Sequence, residues 1–180
     1  GSSGARAALE AVHRFGSDSA LGLELRPLLA QVEGLAAMVA GSSIRDRLDR
    51  AQVLAGQDDH AGALRAIDEG LAEHPDAPEL RVARATALRL LGDHQGAIAE
   101  CDRVLERTPG SGGARYQRAF ARWAAGDLRG AREDLELLLR QDPRPVVWTL
   151  LAGVRASGGD QAGAEEAFDR ALELDPDYLE

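Results

Sequence analysis

Three kinds of residue recur in step along this chain, and that recurrence limits its fold more than anything else in it. Alanines stand at Ala63, Ala97, Ala131 and Ala164. Prolines stand at Pro75, Pro109, Pro143 and Pro176, and aspartates at Asp59, Asp93, Asp127 and Asp160. All three series advance by 34, 34 and then 33 residues. A period of this length marks stacked supersecondary units, none of which can bury its apolar side alone. Between the markers, each unit reads as a first helix, a short turn and a second helix. Aromatic residues make up only 4% of the chain, which suits close-packed helices and leaves little for a strand-rich core.

The last unit is the clearest. Trp148, Leu151, Ala152, Ala164, Phe168, Ala171 and Pro176 fall in the pattern W-x2-L-A…A-x3-F-x2-A-x4-P. This spacing resembles the tetratricopeptide repeat (TPR), a helix–turn–helix of about 34 residues. In that register, repeats occupy about 44–77, 78–111, 112–144 and 145–178, roughly three-quarters of the chain. The resemblance implies an all-α fold: a right-handed α-solenoid of four TPR helix–turn–helix repeats, with first helices lining its concave face. Residues 1–4 read as a cloning scar and residues 5–43 as an N-terminal helical, capping segment. Within that segment Leu28, Leu29, Val32, Leu35, Ala36 and Val39 give an amphipathic helix over 26–40. It is expected to cap the flank of repeat one, with groove self-occupation and dimerisation as alternatives. No polar capping helix follows repeat four, so the chain is expected to be a piece of a longer protein or to use that end for self-association.

Local signals agree with the register. Pro78 and Pro145 open first helices, where a missing N–H costs little. The recurrent aspartates precede second helices, where a carboxylate can accept from an unpaired N–H. Three residues on stand Gly62, Gly96, Gly130 and Gly163, where the family usually has Glu. A helical Gly costs about 1 kcal/mol relative to Ala, and the sequence offers no physical reason for it. Arg84 and Arg118 are followed sixteen residues later by Glu100 and Asp134, whereas repeat four has Leu151 and Ala167 at those positions. A charge that appears and vanishes with its opposite predicts an Arg–carboxylate pair inside repeats two and three.

No catalytic constellation is visible. The net charge of −9 argues against nucleic acid or an anionic membrane as partner. The single cysteine, Cys101, permits no intrachain disulfide and occupies the core position that Phe168 fills in repeat four. His13, His60, His74 and His94 lack metal-ligand spacing, and His60 and His94 read as recurrent surface residues. No apolar run is long enough for a membrane span. The expectation is a cytoplasmic, non-catalytic chain without metal or cofactor.

The resemblance places the groove at Val82, Thr86 and Arg89 in repeat two, Tyr116, Gln117, Phe120 and Trp123 in repeat three, and Thr149 and Leu150 in repeat four. Repeat one offers Arg45, Leu48 and Gln52. Tyr116, Phe120 and Trp123 share one helical face. They are expected either to form a partner-binding wall or to be ordinary inter-helix core. First helices two and three carry Arg81, Arg84, Arg89, Arg115, Arg118 and Arg122, which predicts a locally basic inner layer and an acidic peptide. Family members that clamp heat-shock chaperone tails use basic residues and asparagines. Here those positions hold Leu48, Gln52, Ala83, Gly113 and Gln117, or, one repeat on, Val82, Thr86, Gln117, Val146 and Leu150, and neither set matches. The implied function is a scaffold that binds a peptide or helix of a partner protein. The alternatives are a homo-oligomerisation module and a recognition domain of a larger enzyme.

Overall fold

The computed structural model describes residues 43–178, so all but the last residue of the expected capping segment over 5–43 lies outside the described residues. Among the described residues there are eight helices and no strand. Helix α1 spans 43–56. It is followed by α2 (His60–Glu73), α3 (Pro78–Leu90), α4 (His94–Arg107), α5 (Gly112–Ala124), α6 (Leu128–Gln141), α7 (Pro145–Ser157) and α8 (Gln161–Leu174). Odd-numbered helices are the first helices of the four hairpins and even-numbered ones the second.

The same chemistry starts every second helix. Asp59, Asp93, Asp127 and Asp160 accept from the backbone N–H of Gly62, Gly96, Gly130 and Gly163 at 2.7–3.0 Å. This satisfies one of the donors that a helix start leaves unpaired. The structure also explains the glycines. A Cβ at any of the four would stand 2.1–2.3 Å from the capping carboxylate Oδ2, so a side chain there displaces the cap. Before each cap the chain turns through positive φ, at Gly92 (85°), Gly126 (85°) and Gly159 (81°). In the first hairpin the same register position is Asp58, at φ 60°. Pro78 and Pro145 occupy the first turns of α3 and α7, as expected.

The hairpins stack on a core built largely of alanine. Ala85, Ala97, Ala119, Ala131, Ala152, Ala164 and Ala167 are all at most 1% exposed, filled between by Ile67, Leu80, Leu135 and Leu151. Small side chains let helix axes approach closely, so the contact is made over much of each helix. First helices of successive hairpins touch one another (α3 with α5, α5 with α7), while successive second helices make no comparable contact. The stack therefore bends with its first helices on the inner side.

The predicted ion pairs are present and reach further than expected. Arg84 donates to Glu100 (3.0 Å) and to Asp68 of the preceding hairpin (2.8 Å). Arg118 makes a two-pronged bond to Asp134 (2.6 and 2.9 Å) and a third to Asp102 of the preceding hairpin (2.6 Å). The Asp68 and Asp134 hydrogen bonds hold the Arg84 and Arg118 guanidinium pKa values above the ordinary one. Glu100 and Asp134 are only 2% and 3% exposed, and Arg81, Arg103 and Arg122 also converge on them. Leu151 and Ala167 replace the pair with buried apolar contact in the fourth hairpin. This corrects the expected basic inner layer. Arg81, Arg84, Arg115, Arg118 and Arg122 are consumed by carboxylates between helices, and of the six only Arg89 is left over.

Candidate functional site

The inner face is assembled from α3, α5 and α7. Of the nine expected groove residues, Val82, Thr86, Arg89, Tyr116, Gln117, Phe120, Trp123 and Thr149 are half-buried. Leu150 is not on an open wall. It is 5% exposed and packs with Val147, Leu151 and Val154, because its position turns it between α7 and its neighbours. The Thr86 and Thr149 hydroxyls donate back to their own helices, to the carbonyls of Val82 and Pro145.

Arg89 is the exception among the arginines. Its guanidinium lies over the Phe120 ring, 4.1 Å from the centroid. Its Nε is buried without a hydrogen-bond partner, and no carboxylate among the described residues pairs with it. Every other half-buried arginine among the described residues has a carboxylate. Burial lowers the Arg89 pKa, opposed by the nearby Tyr116. Burial in turn raises the Tyr116 pKa, keeping the phenol neutral and able to donate. A cation stacked on an aromatic face keeps part of its stabilisation without a counter-ion and so stays available to an incoming acceptor.

The aromatic stripe divides its duties. Phe120 and Trp123 meet at 5.5 Å with their planes 56° apart. Tyr116, Phe120 and Trp123 all pack against the core between α5, α6 and α7. Trp123 lies on Gly153, where a Cβ would come within 3.0 Å of the indole ring, and its Nε1 donates to Ser157 Oγ at 2.9 Å. The Trp123 ring is thus a plug between two hairpins more than an open wall.

A feature not anticipated in the sequence lies one junction earlier. A cavity of about 390 Å³ opens between α1, α2 and α3. It is walled by Leu48, Ala51, Ala55, Ala63, Ile67, Ala83, Ala87 and Leu90, with Gln52, His60 and Thr86 as its polar edge. Leu48 and Gln52 both line this cavity, but nothing in repeat one alone signals a void.

Other candidates are inert or structural. Cys101 is fully buried and burial pushes its thiol up to about 12, which removes it as a nucleophile. His60 and His94 are half-buried rather than superficial, each with Nδ1 unpartnered. Among the described residues no group of His, Cys, Asp and Glu is clustered to hold a metal. No helix there is long and apolar enough to cross a membrane.

Comparison with solved structures places this arrangement among known folds. The chain is similar to MamA (41-end) from Desulfovibrio magneticus RS-1, with TM-score 0.63 and 24% identity over 74% of this chain and 76% of that one. It is similar to a tetratricopeptide repeat protein from Parabacteroides merdae, with TM-score 0.60 and 18% identity over 77% of this chain and 56% of that one. It is also similar to the second TPR domain of human RPAP3, solved with the HSP70 peptide SGPTIEEVD. There the TM-score is 0.58 and the identity 20%, over 64% of this chain and 98% of that one. At these identities the likeness is one of fold. No curated protein sequence matches the chain. Three family models described as tetratricopeptide repeat match residues 48–112, 88–154 and 146–178. With its capped hairpins, alanine core and inner layer of first helices, the chain belongs to the tetratricopeptide repeat family.

Proposed function

We propose that the chain is a non-catalytic scaffold that docks a peptide or helix of a partner protein along the inner face of α3, α5 and α7. The observation that carries this is Arg89: a half-buried, unpaired cation held on Phe120 beside the neutral phenol of Tyr116. A fold that pairs its other half-buried arginines has left this one on the face where its first helices converge. An acceptor group on a bound peptide would satisfy it, with Val82, Gln117 and Thr149 extending the contact to either side. The peptide-bound RPAP3 domain supports the same use of a similar fold, although the residues of a chaperone-tail clamp are not present here.

The experiment is a selection of displayed peptides against the chain, followed by NMR mapping of one selected peptide. Amide shifts are expected on α3, α5 and α7 and a loss of affinity on Arg89→Met. Shifts confined to the even-numbered helices would overturn the proposal.

A second reading, homo-association, is favoured by one observation. Phe168, Leu174 and Tyr178, on and just after α8, are 36–49% exposed, so the last hairpin carries three exposed large apolar side chains. Sedimentation over a concentration series separates the two, since a monomer at all concentrations removes the second.

A further inference from the structure

The three junctions between hairpins share one register, and comparing them column by column isolates the first. At the third junction the pair is Trp123 and Gly153: a large ring laid on a residue with no side chain. At the second junction the same columns hold Arg89 and Phe120, stacked at 4.1 Å. At the first junction they hold Ala55 and Thr86, both small, and both line the 390 Å³ cavity. Among the described residues, two junctions are thus plugged by a flat group, and the first has the socket without the plug.

We infer that this socket receives an aromatic side chain of the partner peptide, seated where Trp123 and Arg89 sit in the junctions that follow. The inference rests on the inner face being the docking surface. The volume, about 390 Å³, lies toward the lower end of the range of ligand pockets, about 300–1,000 Å³, and leaves ample room for one large side chain. The walls are almost wholly apolar, so a charged or amide side chain would lose its hydration there without return. An aromatic ring gains buried area for the loss of only two torsions. The polar edge supplies orientation. His60 lines the socket and its Nδ1 has no partner, so as an acceptor it would meet an indole N–H or a phenol O–H. His94 has the same unpartnered atom one repeat on. The acceptor is therefore a recurrent feature, and it is the void that singles out the first junction.

The test uses the whole chain and 5-fluoroindole as the probe, followed by fluorine NMR and by methyl shifts of the protein. Wild type is expected to bind saturably, with shifts at Ala63, Ile67, Ala83 and Ala87. Ala55→Trp should fill the socket from within, weaken probe binding at least tenfold and raise Tm. The double variant Ala55→Trp with Thr86→Gly copies the Trp123–Gly153 pair and relieves any clash of the new ring. Absence of saturable binding by wild type, binding indifferent to Ala55→Trp, or a lowered Tm in both variants would each overturn the inference.

Selected peptides distinguish this failure from failure of the docking surface. A peptide that maps to α3, α5 and α7 but is unaffected by replacing its aromatic residues with Ala, and by Ala55→Trp, removes the socket and leaves the groove. Probe binding with no peptide on the inner face removes both.

Discussion

At the scale of single residues, the chain shows what its repeated positions are for by the places where one copy differs. Gly92, Gly126 and Gly159 supply the left-handed turn before each cap, while the first hairpin asks Asp58 to do so at φ 60°. A residue with a Cβ is strained there, though Asp tolerates the region better than most. Asp58→Gly should therefore stabilise the protein by about 0.5–1 kcal/mol, the relief being partly offset by the greater freedom of glycine in the unfolded chain. A urea titration would show a higher midpoint with an unchanged slope. Cys101 gives a second expectation. Buried and held protonated with its pKa pushed up to about 12, it should resist iodoacetamide at pH 8 in the folded protein and react once urea unfolds it. The sign of the linkage follows: the unfolded thiol ionises first, so this group contributes stability below its ordinary value of 9.0 that is lost as pH rises toward 12.

At the scale of elements, the arginine braces decide how α4, α5 and α6 hold together. Asp134 is 3% exposed and accepts two hydrogen bonds from Arg118 and one from Arg122, so removing Arg118 leaves a buried carboxylate only partly paired, by Arg122 and the more distant Arg115. Arg118→Leu alone should cost about 2–3 kcal/mol, less than a wholly unpaired buried charge would, because Arg122 still donates to Asp134. The double variant Arg118→Leu with Asp134→Ala copies Leu151 and Ala167 of the fourth hairpin, where the same space is filled apolarly. It should recover part of the loss, because replacing a buried pair by apolar groups is often neutral, but only part, because Arg115 and Arg122 lose Asp134 as well. A double-mutant cycle on urea midpoints reads both numbers. These pairs are legible in the sequence because charge and counter-charge appear and vanish together across repeats. Asp68 and Asp102 are not legible as partners. They belong to the preceding hairpin, and only stacking brings them near. The same stacking explains why the first-helix arginines, read from the sequence alone, look like a basic lining and are not one. Periodicity shows that residues share a face, but not whether that face looks at a neighbour or at the groove. Leu150, one position along from Thr149, faces its neighbours rather than the groove for that reason.

At the scale of the whole molecule, the register makes the stack of hairpins readable, because alanines, prolines and aspartates all keep one period. The socket is hidden because a void is a property of two columns at once: Ala55 and Thr86 are each ordinary residues for a helix, and only their pairing leaves space. That relation also predicts what happens when a plug is removed. Trp123→Ala should turn the third junction into a likeness of the first, with a methyl group facing Gly153 across an empty volume. Trp123 is half-buried and donates to Ser157, so the cost should fall near the lower end of large-to-small losses, about 3 kcal/mol. In a stack where each hairpin leans only on its neighbours, the loss should be local. Hydrogen exchange in α7 and α8 should quicken first, with α2 and α3 nearly unchanged. An apolar cavity of this kind can also take a ligand of the lost shape. Indole should therefore restore part of the Tm lost in Trp123→Ala, and restore less when Gly153→Leu occupies the same space. Uniform acceleration of exchange from α1 to α8 would mean that the hairpins unfold as one block, and that the junctions do not act as separable joints.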